Sequence, residues 1–489
     1  MMRFSVLWIV AVKGVLSAAN NKSVPQAFAS SADGLYKLTS VDAPVKGRNS
    51  GTPGLNFECA FSVDDTPSGY RQTVRGFGAT VTDGTVELFN ELSDPTRSAL
   101  LDELLAESGA KFNMMRHTIA ASEMSPEPAY TYDDANGTVD TSFKHFNISE
   151  RGRNMALLLA EMTAKEPELT IVGSSWSPPA WMKENGGLRE NLYMGNNVLN
   201  QSYATQFAQY FVRYIHAYGG RNAKVNAFTI QNQPLYTSAG VPSMSISADE
   251  SAKLIQEDIG PTLHDAGLQT EIWAYDGNTD TPQYPQTVLD GASKYVKAVA
   301  WQCHAVADNN WTALTDFHDK NSDIDQYMTN CWTSSTDKWS QAADFTIGPL
   351  LNWGKGVMAW ALGTDDQNGP HLDGQGVCET CHGLVVVDVE SDTYELQVDY
   401  YMMAQFSKFI PKDSIVLSSN DETCDEACGL QKSLEAVVTL SPDGSRVAVI
   451  VNKLANDTHV TLHTKGNQTW SGLVYGASVV TWVLPAVGA

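Results

Sequence analysis

FTIQNQP, at residues 228–234, has the pattern of a buried strand that ends in a polar tip. YMTNCW, at residues 327–332, repeats this pattern about a hundred residues later. Continuous apolar runs of this kind are typical of parallel strands that are covered on both faces. Including these two stretches, we predict eight such strands, at residues 76–82, 112–119, 169–174, 225–230, 271–275, 298–303, 326–330 and 356–362.

Helical patterns with recognisable start signals separate most of these runs. The predicted helices lie at residues 96–106, 150–165, 202–218 and from 248 toward 263. The last of them opens with a capping box, Ser-Ala-Asp-Glu, at residues 247–250. Eight strands that alternate with helices predict an α/β fold, the (β/α)8 or TIM barrel.

Both flanks of the barrel have β-type patterns. Residues 30–70 and 396–489 contain alternating apolar runs separated by turn signals such as Pro442-Asp443-Gly444. We therefore predict a β-sandwich domain that is built from both chain ends and attached to the barrel. The expected divisions are a signal peptide at 1–19, the first part of the sandwich at 30–70, the barrel at 71–395 and the rest of the sandwich at 396–489.

The composition excludes some classes of partner. The chain has 489 residues, with 32 basic and 56 acidic ones, which gives a net charge of −24. A chain this acidic, without clusters of Lys or Arg, is not expected to bind nucleic acid. No stretch after the amino terminus approaches the roughly 20 apolar residues of a membrane span, so we expect no integral membrane segment in the mature chain.

The amino terminus has the features of a secretory signal. Arg3 precedes an apolar run at 5–12, and small residues follow at 17–19. Secretion to the extracellular space also fits the acceptor sequences for N-glycosylation, which begin at Asn21, Asn136, Asn147, Asn200, Asn310, Asn456 and Asn467. We therefore expect a secreted glycoprotein.

The chain has seven cysteines, an odd number. Spacing and strand positions suggest the pairs Cys378–Cys381, Cys424–Cys428 and Cys303–Cys331, which leave Cys59 over. The alternative for Cys378-x-x-Cys381 is a zinc site, although the second ligand pair is not convincing and secretion favours disulfides.

The two polar tips are the candidate catalytic positions. In a (β/α)8 barrel the active site lies at the carboxyl ends of the strands, where Gln233 and Asn330 are expected. Retaining glycosidases place two carboxyl groups in such a position, one as acid/base and one as nucleophile. An amide cannot exchange a proton as a carboxylic acid does, and it is a poor nucleophile at carbon.

Four motifs resemble glycoside hydrolase family 30, which includes glucosylceramidases and fungal endo-β-1,6-glucanases. They are GFGATVTD at 76–83, SSWSPPAWMK at 174–183, TIQNQP at 229–234, and YY with FSKFI at 400–410. The resemblance extends from about residue 30 to residue 489. It implies a barrel with an attached β-sandwich, a retaining mechanism, no metal or cofactor, and a carbohydrate ligand such as a β-glucoside, a β-glucan or a glycosphingolipid-type glycoside.

The resemblance also implies roles for individual residues. Gln233 would occupy the acid/base position and Asn330 the nucleophile position, where the family has Glu. Asp83 would bind sugar hydroxyls, and Asn232 would contact the 2-hydroxyl. Two tryptophans would pack on the sugar, Trp176 and Trp360.

Further departures from the family lie close to these positions. Gln302 and His304, which are also expected to contact the substrate, replace the His and Tyr that the family usually has, and Glu123 stands where Asp is usual. Arg116 is expected to be a buried residue that has lost its ion pair with a nucleophile carboxylate. Trp181 is expected to pack in the core. Glu123 and Glu184 are interpreted as ordinary loop residues, with a replacement carboxylate as the alternative.

These observations predict a secreted relative of family 30 that binds β-glucosides or β-glucans but is catalytically impaired. The loss of both carboxyl groups removes general acid–base help, worth about 10²–10⁴ in rate, and covalent catalysis as well. The alternative is an active retaining β-glycosidase that uses a replacement carboxylate.

Overall fold

The computed structural model describes residues 24–47, 58–191, 193–303, 310–333, 338–374, 377, 380–421 and 433–487. Its strands are β1 (Gln26–Ser31), β2 (Thr39–Val41), β3 (Val45–Lys46), β4 (Glu58–Asp64), β5 (Tyr70–Thr73), β6 (Gly76–Val81), β7 (Met114–Ile119), β8 (Thr170–Ser175), β9 (Ala227–Thr229), β10 (Glu271–Asn278), β11 (Val296–Gln302), β12 (Asp325–Cys331), β13 (Gly356–Ala359), β14 (Gly363–Thr364), β15 (Val385–Asp388), β16 (Thr393–Leu396), β17 (Ile415–Asp421), β18 (Leu434–Leu440), β19 (Arg446–Asn452), β20 (Thr458–Thr464), β21 (Thr469–Val474) and β22 (Ser478–Leu484).

The α-helices are α1 (Asp83–Glu91), α2 (Asp94–Leu105), α3 (Ser149–Lys165), α4 (Ala204–Gly219), α5 (Ala248–Leu254), α6 (Gly260–Asp265), α7 (Gln283–Ala292), α8 (Thr312–Lys320), α9 (Lys338–Leu351) and α10 (Val398–Ser407). The four predicted helices are confirmed, and the capping box at 247–250 opens α5 as expected. The helix predicted from 248 toward 263 is interrupted by a π-helical turn, Ile255–Ile259, between α5 and α6.

Strands β6 to β13 form a closed parallel barrel in chain order, with β13 hydrogen-bonded to β6. Each of the eight predicted strands therefore corresponds to one barrel strand. Nearly every residue of these strands is buried, because the barrel interior covers one face and the surrounding helices cover the other. The predicted (β/α)8 fold is confirmed.

Large side chains fill the barrel interior near the amino ends of its strands. Trp273 of β10 and Tyr327 of β12 stack in parallel, with 4.1 Å between ring centroids and an interplanar angle of 2°. Both are the third residue of their strand, and they belong to a buried cluster that also contains Met114 and Met358. The barrel interior is therefore filled near the amino ends of the strands, and the open space lies at the carboxyl ends.

The second domain is an eleven-stranded sheet built from both chain ends, as predicted. Its order is β2-β1-β22-β19-β18-β17-β4-β20-β21-β3, and β5 pairs with β17. The sheet curls so that its two halves enclose one apolar core, which includes Phe61, Trp470 and Trp482. Arg446, the first residue of β19, and Asp65, directly after β4, form a buried ion pair with Nη2 and Oδ2 2.9 Å apart.

Helix α10 was not predicted, because residues 396–489 were expected to be entirely β. This helix lies between the two domains. Its Gln405 donates from Nε2 to Ser30 Oγ at 2.8 Å and accepts through Oε1 from Thr481 Oγ1 at 2.7 Å. A small sheet of β14, β15 and β16 follows the last barrel strand.

Candidate active site

A cavity of about 480 Å³ opens at the carboxyl ends of the barrel strands. This volume is within the range of about 300–1,000 Å³ that is usual for ligand sites. Its walls come from the ends of several strands and from the loops that follow them: Glu123, Asn232, Gln233, Pro234, Leu235, Tyr236, Tyr275, Gly277, Asn278, Asp280, Thr281, Asn330, Trp332, Trp360 and Cys381. The two predicted amide tips, Gln233 and Asn330, thus face the same space.

Gln233 follows β9 and has a left-handed backbone, with φ of 46°. Its backbone N–H donates to the carbonyl of Asp276 at 2.9 Å, which fixes the turn. Its side-chain Nε2 donates to Gln302 Oε1 at 3.1 Å. The amide of Gln233 is therefore held by a specific partner at the cavity wall.

Asn330 lies near the end of β12 and is 3% exposed. Its Oδ1 has no hydrogen-bond partner among the described residues. The next residue, Cys331, forms a disulfide with Cys303 at the end of β11, as predicted. This bond joins two neighbouring strand tips, one carrying Gln302 and the other Asn330.

Asp276 is the charged centre of the polar network beneath the cavity. Tyr275 and Asp276 have φ of 81° and 69°, and the pairing of β10 with β11 shifts register there. Such a bulge redirects a side chain out of the regular alternation. The carboxylate of Asp276 accepts hydrogen bonds from five side chains, namely Arg116, Ser174, Thr229, Gln302 and Thr329.

Arg116 and Asp276 form an ion pair in which neither side chain is exposed. Burial opposes ionisation of Asp276, but the positive charge of Arg116 and the hydrogen bonds of Thr329 and Arg116 together lower the pKa of Asp276. Arg116 is buried, as expected, but it is not left without a counter-ion, because Asp276 supplies a carboxylate from a different strand than the one that carries Asn330. Nε and Nη1 of Arg116 nevertheless have no partner in the described part of the chain.

The amides around this pair can be oriented without ambiguity. Arg116 Nη2 only donates, so the atom of Asn232 that faces it at 2.8 Å is Oδ1. Gln302 Nε2 donates to Asn232 Oδ1 at 2.8 Å and to Asp276 Oδ1 at 3.0 Å. Gln302 has thus used both of its hydrogens, and only its oxygen is left for Gln233.

Two tryptophans pack on each other beside the cavity. Trp176 and Trp360 stack with 5.5 Å between ring centroids, and they are 2% and 3% exposed. The guanidinium of Arg116 lies 4.9 Å from the ring centroid of Trp176 and 5.9 Å from that of Trp360. Trp360 and Trp332 contribute to the cavity wall, whereas Trp176 lies behind it. Trp181 packs in the apolar core, as expected.

Glu123 is not an ordinary loop residue, contrary to the interpretation from sequence. It is part of the cavity wall, and its Oε2 accepts a hydrogen bond from Trp176 Nε1 at 2.6 Å. Burial raises the pKa of Glu123, against the hydrogen bond from Trp176 and the charge of Arg116. Glu184 is exposed and accepts from Asn196 Nδ2 at 3.2 Å.

Asp83 is buried at the start of α1, and its carboxylate is already engaged. Oδ2 accepts from Ser125 Oγ at 2.7 Å and Oδ1 from Tyr130 OH at 3.2 Å. Burial raises the pKa of Asp83 to about 6, against the hydrogen bond from Ser125 and the charge of Arg151. Asp83 thus contacts the loop that follows β7, and its predicted contact with sugar remains a prediction.

The cysteine predictions are partly corrected. Cys59 is disulfide-bonded, so the expectation that it is left over is wrong. Cys381 is disulfide-bonded too, which excludes it as a zinc ligand, while Cys378, Cys424 and Cys428 lie outside the described residues. His304 also lies outside them.

The part of the chain that the structure describes contains no candidate metal site. It has no group of three or more His, Cys, Asp and Glu side chains arranged to hold a metal ion. No helix in that part is long and apolar enough to cross a bilayer.

Sequence reasoning missed Asp276 and Asp280. Asp276 ends an apolar run, Ile-Trp-Ala-Tyr, in the fifth barrel strand, so the rule that polar strand tips face the active site could have found it. Asp280 lies in the loop after β10 and contributes a second carboxylate to the cavity wall, in addition to that of Glu123.

The two strand tips that resemble the catalytic positions of a retaining glycosidase, Gln233 and Asn330, carry no carboxyl group. Both tips carry neutral amides, which donate and accept hydrogen bonds without exchanging a proton near neutral pH. Aromatic walls and neutral hydrogen-bonding groups suit the binding of an uncharged, hydroxyl-rich ligand.

Comparisons with known proteins agree with the barrel and its attached sheet. Residues 74–410 match the family model of the glycosyl hydrolase family 30 TIM-barrel domain. The chain is 53% identical over 486 residues to endo-1,6-beta-D-glucanase of Neurospora crassa, covering 99% of both chains. It is 26% identical over 417 residues to lysosomal acid glucosylceramidase of Mus musculus, covering 80% of this chain and 77% of that one.

Solved structures share the fold. The endo-beta1,6-glucanase BT3312 superposes with a TM-score of 0.80 at 23% identity, over 94% of this chain and 99% of that one. SrfJ from Salmonella typhimurium superposes with a TM-score of 0.82 at 18% identity, over 94% of this chain and 100% of that one. The barrel, the attached sheet, the family model and the close relatives lead to one assignment: the chain belongs to glycosyl hydrolase family 30.

Proposed function

We propose that this protein binds β-1,6-linked glucan and does not cleave it by the two-carboxylate route of retaining glycosidases. The observation that carries the proposal is the pair of amides, Gln233 and Asn330, in the wall of one cavity at the carboxyl ends of the barrel strands. The family resemblance gives these two positions the roles of acid/base and nucleophile, and an amide side chain can fill neither role.

The β-1,6-glucan ligand is supported by the relatives. Those that are 49–53% identical over 94–99% of this chain are named endo-1,6-beta-D-glucanases. These relatives are named as enzymes. We carry over to this chain the ligand that their names give, β-1,6-glucan, but not its cleavage. Binding does not require the carboxylates, because Trp332, Trp360 and the amides still offer apolar and polar contacts.

A second candidate function is hydrolysis with replacement carboxylates. Glu123 and Asp280 both contribute to the cavity wall, which favours it. Glycosidases of either stereochemistry need one carboxyl as acid and a second as nucleophile or base. Glu123, with its raised pKa, would be the acid, and Asp280 would be the second group.

We also propose that the protein is secreted and glycosylated. Cys303–Cys331, together with the disulfide-bonded Cys59 and Cys381, supports an oxidising compartment. Within the described ranges, five of the acceptor asparagines are exposed, namely Asn136, Asn147, Asn310, Asn456 and Asn467. Mass spectrometry of the protein from culture medium tests both points.

The functional test combines calorimetric titration with β-1,6-gluco-oligosaccharides and an assay of reducing ends released from β-1,6-glucan. Binding without release is the expected result. Release of reducing ends that disappears in Glu123→Gln or Asp280→Asn would establish the second candidate and refute the first. Failure to bind any of the oligosaccharides would refute the proposed ligand.

A further inference from the structure

Exposed apolar side chains are concentrated beside the cavity. Among the described residues, eleven large hydrophobic side chains are strongly exposed, and four of these lie in two loops at the barrel mouth. We call these four the apolar rim: Tyr193 (99% exposed), Met194 (61%), Leu235 (56%) and Tyr236 (49%). Single exposed apolar side chains need no explanation, but a cluster of them beside a cavity marks a binding surface.

The two loops of the apolar rim are hydrogen-bonded to each other. The backbone N–H of Glu190 donates to the carbonyl of Ser238 at 2.7 Å. Thr237 Oγ1 donates to Glu190 Oε1 at 2.9 Å. These bonds lie three residues before Tyr193 and one or two residues after Tyr236, so the two halves of the apolar rim are tied together.

A buried lysine forms hydrogen bonds to the backbone of both loops. Lys183, 4% exposed, donates from Nζ to the carbonyl of Leu188 at 2.9 Å and to that of Ser243 at 2.7 Å. One carbonyl belongs to each loop. The loops therefore have a common anchor, and they can hold a preformed surface that loses little entropy on binding.

The apolar rim continues the cavity. Leu235 and Tyr236 belong to the cavity wall together with Gln233 and Asn330, and about half of each of the two is exposed to solvent. A polymer that is longer than a cavity of about 480 Å³ must extend beyond it, and the apolar rim lies at one edge of this cavity. Tyr side chains present a flat apolar face and a hydroxyl, which suits the C–H faces and hydroxyls of a sugar.

The charge of the surroundings argues for an uncharged ligand. The whole chain has a net charge of −24, and the carboxylates of Asp280, Glu184 and Glu190 lie in the loops at this mouth. Anionic lipid surfaces and nucleic acids are repelled by such a field. A neutral glucan chain does not experience this repulsion.

We propose that the apolar rim is an extended subsite that holds the glucosyl units of a β-1,6-glucan beyond those in the cavity. The inference rests on the proposed function and adds to it a dependence of affinity on chain length. Tyr236 is its central residue, because it belongs to both the cavity wall and the exposed surface.

The test is calorimetric titration of the full chain with β-1,6-gluco-oligosaccharides, from disaccharide to octasaccharide. The wild type is expected to bind longer oligosaccharides more tightly. Tyr236→Ala is expected to weaken binding of the octasaccharide by about tenfold, the value of one well-formed aromatic contact. Tyr193→Ala, in the apolar rim but not in the cavity wall, is expected to weaken binding of the octasaccharide and to leave that of the disaccharide unchanged. Tyr70→Ala, an exposed tyrosine of the sheet domain, is the matched control and is expected to change neither affinity.

The outcomes separate the two proposals. Affinity that does not rise with chain length, or a Tyr236→Ala variant that behaves like Tyr70→Ala, overturns the extended subsite and leaves the proposed function intact. Absence of binding at every length overturns the proposed function and the subsite with it. Co-sedimentation with neutral phosphatidylcholine vesicles that is lost in a Tyr193→Ala/Met194→Ala variant would assign the apolar rim to a lipid surface and overturn the subsite.

Discussion

The Gln233→Glu substitution is expected to give a carboxyl group with a pKa well above that of an ordinary glutamate. Gln233 Nε2 now donates to Gln302 Oε1 at 3.1 Å. Gln302 cannot turn its amide over, because its Nε2 already donates to Asn232 Oδ1 and Asp276 Oδ1. A carboxylate at position 233 would therefore face another acceptor, and only the protonated carboxyl could restore the hydrogen bond.

The size of the effect follows from this one contact. Leaving a buried acceptor without its donor costs about 1–3 kcal/mol. One pKa unit corresponds to about 1.36 kcal/mol, so the pKa of the introduced carboxyl should rise from about 4.3 by roughly one to two units. A group whose pKa is higher in the folded state than in the unfolded state stabilises the fold at pH values below its unfolded-state pKa. This stabilisation is lost as the pH rises through the folded-state pKa. The variant should thus be close to wild type near pH 4 and less stable by about 1–3 kcal/mol at about pH 7.5.

Urea unfolding of wild type and variant at a series of pH values between about 4 and 7.5 measures this difference. Gln269→Glu, at an exposed position in the loop before β10, is the matched control and should show no such pH dependence. A stability difference for Gln233→Glu that is the same at every pH would contradict this account, because it would mean that Gln302 had reoriented to donate to the new carboxylate.

Three further predictions concern other parts of the site. Asp276→Asn leaves the charge of Arg116 buried without a counter-ion and should lower the free energy of unfolding by about 3–5 kcal/mol, measured by urea unfolding; a loss below about 1 kcal/mol would contradict the role given to this pair. Trp360→Ala should weaken binding of β-1,6-gluco-oligosaccharides by about tenfold in calorimetric titration, whereas Trp353→Ala, before β13 at the amino end of the barrel, should not. The pKa of Asp83 is raised to about 6, so wild type should lose on the order of 2–3 kcal/mol of stability relative to Asp83→Asn as the pH rises from about 4 through 6. Parallel unfolding curves for the two proteins at all pH values would contradict this last prediction.

The barrel was predictable because each parallel strand that is covered on both faces appears in the sequence as a short continuous apolar run. The polar residues at the carboxyl ends of the strands were predictable for a related reason. Polar side chains at the end of an apolar run are not expected in the packed interior of the barrel. Gln233 and Asn330 were found in this way, and so was the pairing of Cys303 with Cys331, whereas Gln302 was found as a departure from the family motif.

Features that produce no repeating apolar pattern in the sequence were not predicted. Helix α10 is buried on nearly all sides, so its residues show no amphipathic period that would distinguish them from a strand. Asp276 could have been found as a polar residue at the end of an apolar run, but the bulge within β10 that redirects its side chain leaves no mark on that run. The position of Glu123 in the cavity wall depends on a long-range hydrogen bond from Trp176, which no local pattern encodes.

The disulfide between Cys303 and Cys331 closes a covalent loop in the chain between them. The loop spans a sequence separation of 28 residues, which includes α8 and most of β12. A protease that cuts once anywhere inside this loop leaves two fragments joined by a covalent bond. Such a nicked molecule would migrate as an intact chain in a denaturing gel without reductant and would separate into two bands only after reduction. A preparation judged whole by its mass can therefore contain molecules whose backbone is broken beside the cavity.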